Sequence, residues 1–384
     1  MSFLTEDDNI PTGPVKFFYF NWALVLLICT VASIGFLLLY SVGGGDLDRW
    51  AEPQMERFAI GLALMFIIGF IPLKVWKFSA PVLYGVGVAL LIGVALFGEE
   101  SKGAQRWLQI GPVRAQPSEL MKIAVVMMLA FYYDLLPRER VSRPFWVILP
   151  LAIILVPTAL VLKQPDLGTS LMLAAGGGVV MLLAGVSLWY FAGAITALVG
   201  LIWAVFASEG KSWQLLDNYQ YDRINIFLNP ALDLKGDGYQ LNQAKIALGS
   251  GGVSGRGYLQ GSQSQLQFLP DQHTDFIFTA LAEEFGFIGS VTLLTLYGLI
   301  ILFALVSMLQ NQNRFGALVT GGLASVFFFF FALNMAMVMG LAPVVGLPLP
   351  LVSYGGTAMM VLMVAFGIIQ SAHVHRPRGS NRRR

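Results

Sequence analysis

Charge is what this chain has least of. Only 12% of its 384 residues are Asp, Glu, Lys or Arg, against 56% that are hydrophobic, far from the balance that keeps a soluble domain in water. The net charge of +2 is too small to argue for nucleic acid as a partner. Cysteine is nearly absent. The single Cys29 lies in an apolar run and excludes an intrachain disulfide, so a long extracytoplasmic segment must be tied down in other ways. The chain has no zinc-ligand cluster, no phosphate-binding glycine loop with its lysine and no nucleophile-elbow serine. It also lacks a strong internal repeat and any low-complexity tract. No small-residue cleavage site accompanies the first apolar run, which starts near Phe17 behind the acidic Glu6-Asp7-Asp8, so that run reads as an uncleaved first span.

What is present is apolar sequence in long stretches. Ten of them are candidates to cross about 30 Å of hydrocarbon: residues 17–42, 56–73, 79–97, 119–136, 145–162, 166–185, 188–208, 274–309, 315–340 and 350–374. The expected fold is an all-α polytopic membrane protein, one transmembrane domain over 1–384, because lipid tolerates only backbones that satisfy their own hydrogen bonds. The eighth stretch is too long for one straight crossing and must tilt or project. The fourth and sixth are short or marginal and need support from neighbours. Lys and Arg in alternate connections set the orientation. Lys74 and Lys77, then Arg138, Arg140 and Arg143, then Arg314 and the tail from Arg376 to Arg384 mark the cytoplasmic side, with both termini on it. The opposite side receives Asp46 to Glu56, Gly98 to Ser118 and a large extracytoplasmic loop, 209–273, between helices 7 and 8. That loop holds Trp213, Tyr219, Tyr221, Ile224, Phe227 and Leu228, too many apolar groups for a disordered linker, and a structured loop of this length is usually functional.

The stretch Gln263 to Gly286 organises the rest, with His273-Thr-Asp-Phe-Ile-Phe at its centre. A polar, proline-interrupted segment runs into an apolar helix, and Asp275 sits at the junction. With the orientation above, even-numbered spans begin at the outer face. Three carry an acid in or beside the first turn: Glu119, Asp166 and Asp275. Helix capping and the dipole explain each acid singly. They do not explain the cations of the same face, Arg106, Arg114, Lys122, Lys163, Lys245 and Arg256, and charge in a membrane protein is seldom kept without a use. A shared polar site is therefore expected. Glu119 and Lys122 are three apart on one helix and can pair, as structural support more than as chemistry. Trp107 is an interfacial aromatic by default and a sugar or lipid platform if it joins the site. His273 is a second titratable candidate, although capping or hydrogen bonding accounts for it more simply. His373 and His375 lie in the basic tail and carry no such signal. Asp46-Leu-Asp48 has the spacing of a metal-bound nucleotide-sugar motif, but on the wrong face for nucleotide sugars. Pro343, Gly346, Pro348, Pro350 and Ser353-Tyr-Gly-Gly break the chain at the outer end of the tenth span. Irregular backbone at that depth is expected to line a cavity, which places Ser353 at the site.

Several stretches resemble the SEDS family (shape, elongation, division and sporulation), whose members polymerise peptidoglycan from lipid II. They include Gly103-Ala-Gln-Arg-Trp-Leu, Gln116-Pro-Ser-Glu-Leu-Met-Lys, Lys163-Gln-Pro-Asp-Leu-Gly-Thr, Phe268-Leu-Pro-Asp-Gln-His-Thr-Asp-Phe and Pro348-Leu-Pro-Leu-Val-Ser-Tyr-Gly-Gly. Gly257-Tyr-Leu-Gln-Gly-Ser-Gln is similar to the elongation branch more than to the septal one. The resemblance implies ten spans, Asp275 as the essential acid, and roles for Trp107, Glu119 and Lys122. It implies the bacterial cytoplasmic membrane, a class B penicillin-binding transpeptidase as partner, and other elongation-complex membrane proteins beside it.

The residues agree with that chemistry. Lipid II brings a diphosphate leaving group, so the growing glycan strand needs one carboxylate to orient and deprotonate a sugar hydroxyl, and positive charge for the phosphates. Asp275 fits the first role, or holds a divalent cation such as magnesium or manganese. Arg106, Arg114, Lys245 and Arg256 are candidates for the second. A flippase for the lipid-linked precursor is the alternative. It would need a polar path to both faces, and here the charge gathers at one. A non-catalytic scaffold would leave the buried acids without a purpose.

Overall fold

A computed structural model describes residues 11, 13–101, 104–110, 113–215, 217–229, 233, 236–261, 269, 271–344 and 346–377. Helices α1 (Trp22–Val42), α2 (Glu52–Phe70) and α3 (Leu73–Phe97) come first. Three short strands follow, β1 (Glu99–Ser101), β2 (Ala104–Ile110) and β3 (Val113–Ala115), then α4 (Pro117–Leu135), α5 (Pro144–Lys163), α6 (Leu167–Ala184) and α7 (Leu188–Ser208). The connection after α7 carries α8 (Asn218–Leu228) and α9 (Asp237–Ser250). The chain closes with α10 (Ile277–Leu309), α11 (Arg314–Val338) and α12 (Gly356–Val374).

Among the described residues nine helices are long and apolar enough to cross a membrane. The tenth long helix is α4, which carries Glu119, Lys122 and Asp134. It can be polar because it is central: 13 of its 19 residues are buried, against neighbours α3, α5, α6 and α11. The close contact of α6 depends on small residues. A Cβ at Gly176 would lie 2.7 Å from Val326, and one at Gly177 2.6 Å from Ile154. The chain is therefore a multi-pass, all-α membrane protein.

Three features go beyond the hydropathy pattern. The segment before α4 forms a three-stranded antiparallel sheet in the order β1-β2-β3, where the sequence suggested only a connection. Seven residues of β2 are long enough to pair on both edges with strands too short to show periodicity. Second, α7 stands nearly free of the bundle. Of its 21 residues only Ser208 is buried, while Trp189 and Trp203 are exposed. An all-apolar helix needs no protein partner when lipid covers it.

Third, α10 is broken at Gly286, whose φ of 64° and ψ of −156° are non-helical. The residues 251–257 dock into the break and replace the helical hydrogen bonds. Arg256 N and Gly257 N donate to Glu283 O and Glu284 O at 3.0 Å each, while Phe287 N and Ile288 N donate to Gly252 O and Val253 O at 2.9 and 3.1 Å. Gly286 is required twice, by its positive φ and because a Cβ there would lie 2.3 Å from Gly255 N. The kink divides a helix too long for one straight crossing. It leaves the first turns of α10, with the acid ahead of them, attached to the 209–273 connection.

Candidate active site

Asp275 lies in the turn over residues 271–276 that leads into α10. The turn winds around one carbonyl. Asp271 O accepts from Thr274 N and Asp275 N at 3.1 Å each and from Thr274 Oγ1 at 3.0 Å. Asp271 itself has a φ of 51°, a left-handed conformation that a short polar residue tolerates. Asp275 thus flanks the helix start instead of capping it.

The broken segment before α12 is clamped onto this turn. Asn334 of α11, with no exposed surface, donates to Asp275 O at 2.9 Å and to Leu347 O at 2.6 Å. Ser353 donates to Thr274 O and accepts from Leu349 N at 2.7 Å. Tyr354 N donates to His273 O at 2.9 Å. From the other side Gln54 of α2, also fully buried, donates to Ser353 O at 2.9 Å and accepts from Gly355 N at 3.3 Å. These hydrogen bonds converge on the backbone around Asp275 and over-determine it, although the buried Oδ1 of Asn334 itself lacks a partner among the described residues. The carboxylate points toward Gly346. A Cβ there would come within 3.6 Å of Asp275 Oδ2, and the residue's φ of 67° suits glycine.

Glu119 and Lys122 form a buried ion pair at 2.7 Å, with side-chain exposures of 7% and 2%. Lys122 Nζ also lies 4.1 Å from the centroid of the Phe330 ring. Phe330 and Asn334 are one turn apart on α11, so that helix presents the first to Lys122 and the second to Asp275. A cavity of about 20 Å³ adjoins the pair, walled otherwise by apolar groups such as Leu323, Phe327 and Phe366. A second, of about 10 Å³, shares Phe330 and Leu362 with it and reaches Ser353, Gly355 and Ala358. Asp275 lines neither. Leu349 and Ser353, which belong to the clamp, form part of the second wall.

Most of the remaining sequence candidates have partners of their own. Asp166 N-caps α6, accepting from Thr169 N at 3.1 Å, and its second oxygen accepts from Gln116 at 3.3 Å. Arg106 ties β2 to the α5–α6 turn, donating to Gln164 O at 3.3 Å and to Pro165 O. Trp107 follows it on β2, half-buried and opposite Glu99 of β1. Arg114 is in β3, and its side chain lies outside the described residues. Arg256 pairs with Glu283 at 3.7 Å. Lys245 is exposed and lies over Gly340, just past the C-terminus of α11, where a cation is favoured by the dipole. His273 stacks on Trp50 at 3.9 Å, and Trp50 meets Tyr354 edge-on at 4.9 Å.

Sequence reasoning passed over Gln54, Arg57, Trp50 and Asn334. Asn334 left a signal, a lone amide deep in an apolar run, which lipid would not tolerate unpaired. Gln54 and Arg57 straddle the start of the second apolar stretch and look like ordinary interfacial polarity.

Residues 18–378 match the model of a cell cycle protein family, FtsW/RodA/SpoVE. The peptidoglycan glycosyltransferase MrdB of Escherichia coli K12 is 43% identical over 92% of both chains. The peptidoglycan glycosyltransferase RodA of Treponema pallidum is 32% identical over 92% of this chain and 97% of its own. Among solved structures, one described as the structural coordination of polymerization and crosslinking by a peptidoglycan synthase complex aligns with a TM-score of 0.79 at 30% identity, covering 93% of this chain and 98% of that one. The rod shape determining protein RodA of Thermus thermophilus aligns with a TM-score of 0.69 at 29% identity, over 93% and 97% of the two chains.

Proposed function

The chain belongs to the FtsW/RodA/SpoVE cell cycle protein family, and from that premise we propose that it is a peptidoglycan glycosyltransferase serving cell-wall elongation and cell shape. Its substrates are lipid II and the growing glycan strand. Its partner is a class B penicillin-binding transpeptidase, in keeping with the synthase complex among its structural relatives. It works in the bacterial cytoplasmic membrane with both termini cytoplasmic and Asp275 on the outer face, as the Lys and Arg distribution supports.

The observation that carries this reading is the clamp. A membrane protein has fixed the backbone that carries one acidic residue between three elements, α2, α11 and the segment before α12, at the mouth of α10. Positioning of that kind is what acid–base work on a bound sugar requires. Asp275 orients the acceptor hydroxyl and takes its proton as the oxygen attacks the anomeric carbon, while the carbon–oxygen bond to the diphosphate breaks. One such displacement inverts the anomeric centre. A divalent cation, where the reaction uses one, would be held by the Asp275 carboxylate and would supply positive charge to the leaving phosphates. Glu119 and Lys122 support the site from below. A flippase needs a polar path to both faces, and the cavity that adjoins that pair has mostly apolar walls, which disfavours one.

Purified full-length protein mixed with lipid II in detergent should yield glycan chains resolvable by gel. A flippase or scaffold yields none.

A further inference from the structure

Arg57 follows Gln54 by three residues on α2, so both side chains approach residues 353–356. Gln54 is spent on the backbone of that segment. Arg57 is not. Its guanidinium lies 4.7 Å from the centroid of the Tyr354 ring. It also packs on Gly356, where an added Cβ would sit 3.4 Å from its Cζ. Nη1 is sealed from solvent without a hydrogen-bond partner, and among the described residues no carboxylate forms an ion pair with Arg57.

The surroundings make this arrangement costly. Gly356 is the first residue of α12, and that helix end has no side-chain cap. It carries the positive pole of the dipole and free N–H groups. A guanidinium pressed against such an end, with a nitrogen short of an acceptor, is stabilised when an anion joins them. Three of the other candidate cations are already engaged: Arg106 with Gln164 O and Pro165 O, Lys122 with Glu119, Arg256 with Glu283. The segment that Arg57 touches is also the one that holds the turn of Asp275, through Ser353 and Tyr354.

We infer that Arg57, seated on Tyr354 at the head of α12, binds a phosphate of the donor lipid's diphosphate. The assignment rests on the glycosyltransferase reading. In the reaction the acceptor oxygen bonds to the anomeric carbon, its proton passes to Asp275, and the electron pair of the broken bond leaves on the diphosphate. Negative charge grows there in the transition state, and a fixed guanidinium with oriented N–H groups meets it.

The test uses full-length protein and two probes, polyprenyl diphosphate and polyprenyl monophosphate of equal chain length. Each is measured by direct binding and as an inhibitor of lipid II polymerisation. The wild type should bind the diphosphate at least about tenfold more tightly, a difference of about 1.4 kcal/mol. Arg57→Ala should erase that preference and raise KM for lipid II, whereas Arg57→Lys should keep part of it. Melting temperatures identify folded variants, and if Arg57→Ala does not fold, Arg57→Gln takes its place. A purely structural Arg57 would lower the melting temperature and leave the ratio of the two probes alone. An unchanged ratio in a folded variant, or no preference in the wild type, overturns the assignment. Wild-type protein that makes no glycan refutes the glycosyltransferase reading instead, and the binding arm still reports on Arg57.

Discussion

Removing one member of the Glu119–Lys122 pair should cost more than removing both. At 2.7 Å and an effective dielectric of ~20, the attraction between the two charges is about 6 kcal/mol before desolvation is counted. Most of that offsets the loss of water around two side chains that are 7% and 2% exposed. A single change, Lys122→Met or Glu119→Leu, removes the attraction and keeps one desolvation penalty, for a loss of about 3–5 kcal/mol. The adjoining cavity of about 20 Å³ has room for about one water molecule, which can partly rehydrate the orphaned group and favours the lower end. Lys122→Met gives up in addition the contact of the ammonium with the Phe330 ring at 4.1 Å. In the double variant neither charge remains, and apolar side chains suit the apolar walls of the cavity. Its stability should return to within about 1–2 kcal/mol of wild type or exceed it. Thermal melting in detergent of the four proteins forms a double-mutant cycle, with glycan synthesis assayed in parallel. If the double variant is no more stable than the worse single, the two residues act separately and the pairing argument is wrong. Restored stability without restored activity would give the pair a role at the substrate beyond support.

Three further outcomes follow from other parts of the molecule. Asp275→Asn should abolish glycan synthesis while leaving membrane insertion and melting close to wild type, since the clamp holds this residue by its backbone carbonyl; near-normal synthesis would remove Asp275 from the mechanism. Asn334→Leu leaves two buried carbonyls, of Asp275 and Leu347, without their donor, and should cost about 2–6 kcal/mol and most of the activity although Asp275 is intact; full activity would show that the clamp is dispensable. His375, at the end of α12, has its pKa lowered from 6.5 chiefly by burial. Above pH 6.5 the ring is neutral both folded and unfolded. As pH falls below that value the unfolded chain takes the proton first, so stability declines. Melting curves over that window should show the decline, and His375→Gln should flatten it; an identical slope in the variant would assign the effect elsewhere.

The spans were legible because lipid imposes a simple demand: about twenty apolar residues in a run, with every backbone group satisfied inside the helix. Asp275 stands out in the sequence for the related reason that an acid beside such a run is expensive to keep. Which helix faces protein and which faces lipid was not. Helix α7 has the same apolar composition all round as the helices of the core, and only the packed structure shows it standing apart. The sequence likewise identifies 274–309 as too long for one crossing, but the break at Gly286 depends on residues 251–257 supplying hydrogen bonds across thirty positions of chain.

The candidate site divides in the same way. Glu119 and Lys122 are neighbours by helical spacing, so their pairing is a local matter that sequence determines. Asp166 beside Thr169 is local too. Arg106 and Arg256 read from sequence as cations waiting for phosphate, yet the fold brings carbonyls and Glu283 to them. Arg57 reads as a routine interfacial residue, and tertiary packing sets it against Tyr354 and the head of α12 with no counter-charge among the described residues. Sequence by itself determined which groups are costly in a membrane, because that cost depends on residue type and depth. Only the tertiary structure decided which of those costs are met within the protein, because pairing depends on distances between segments far apart in the chain.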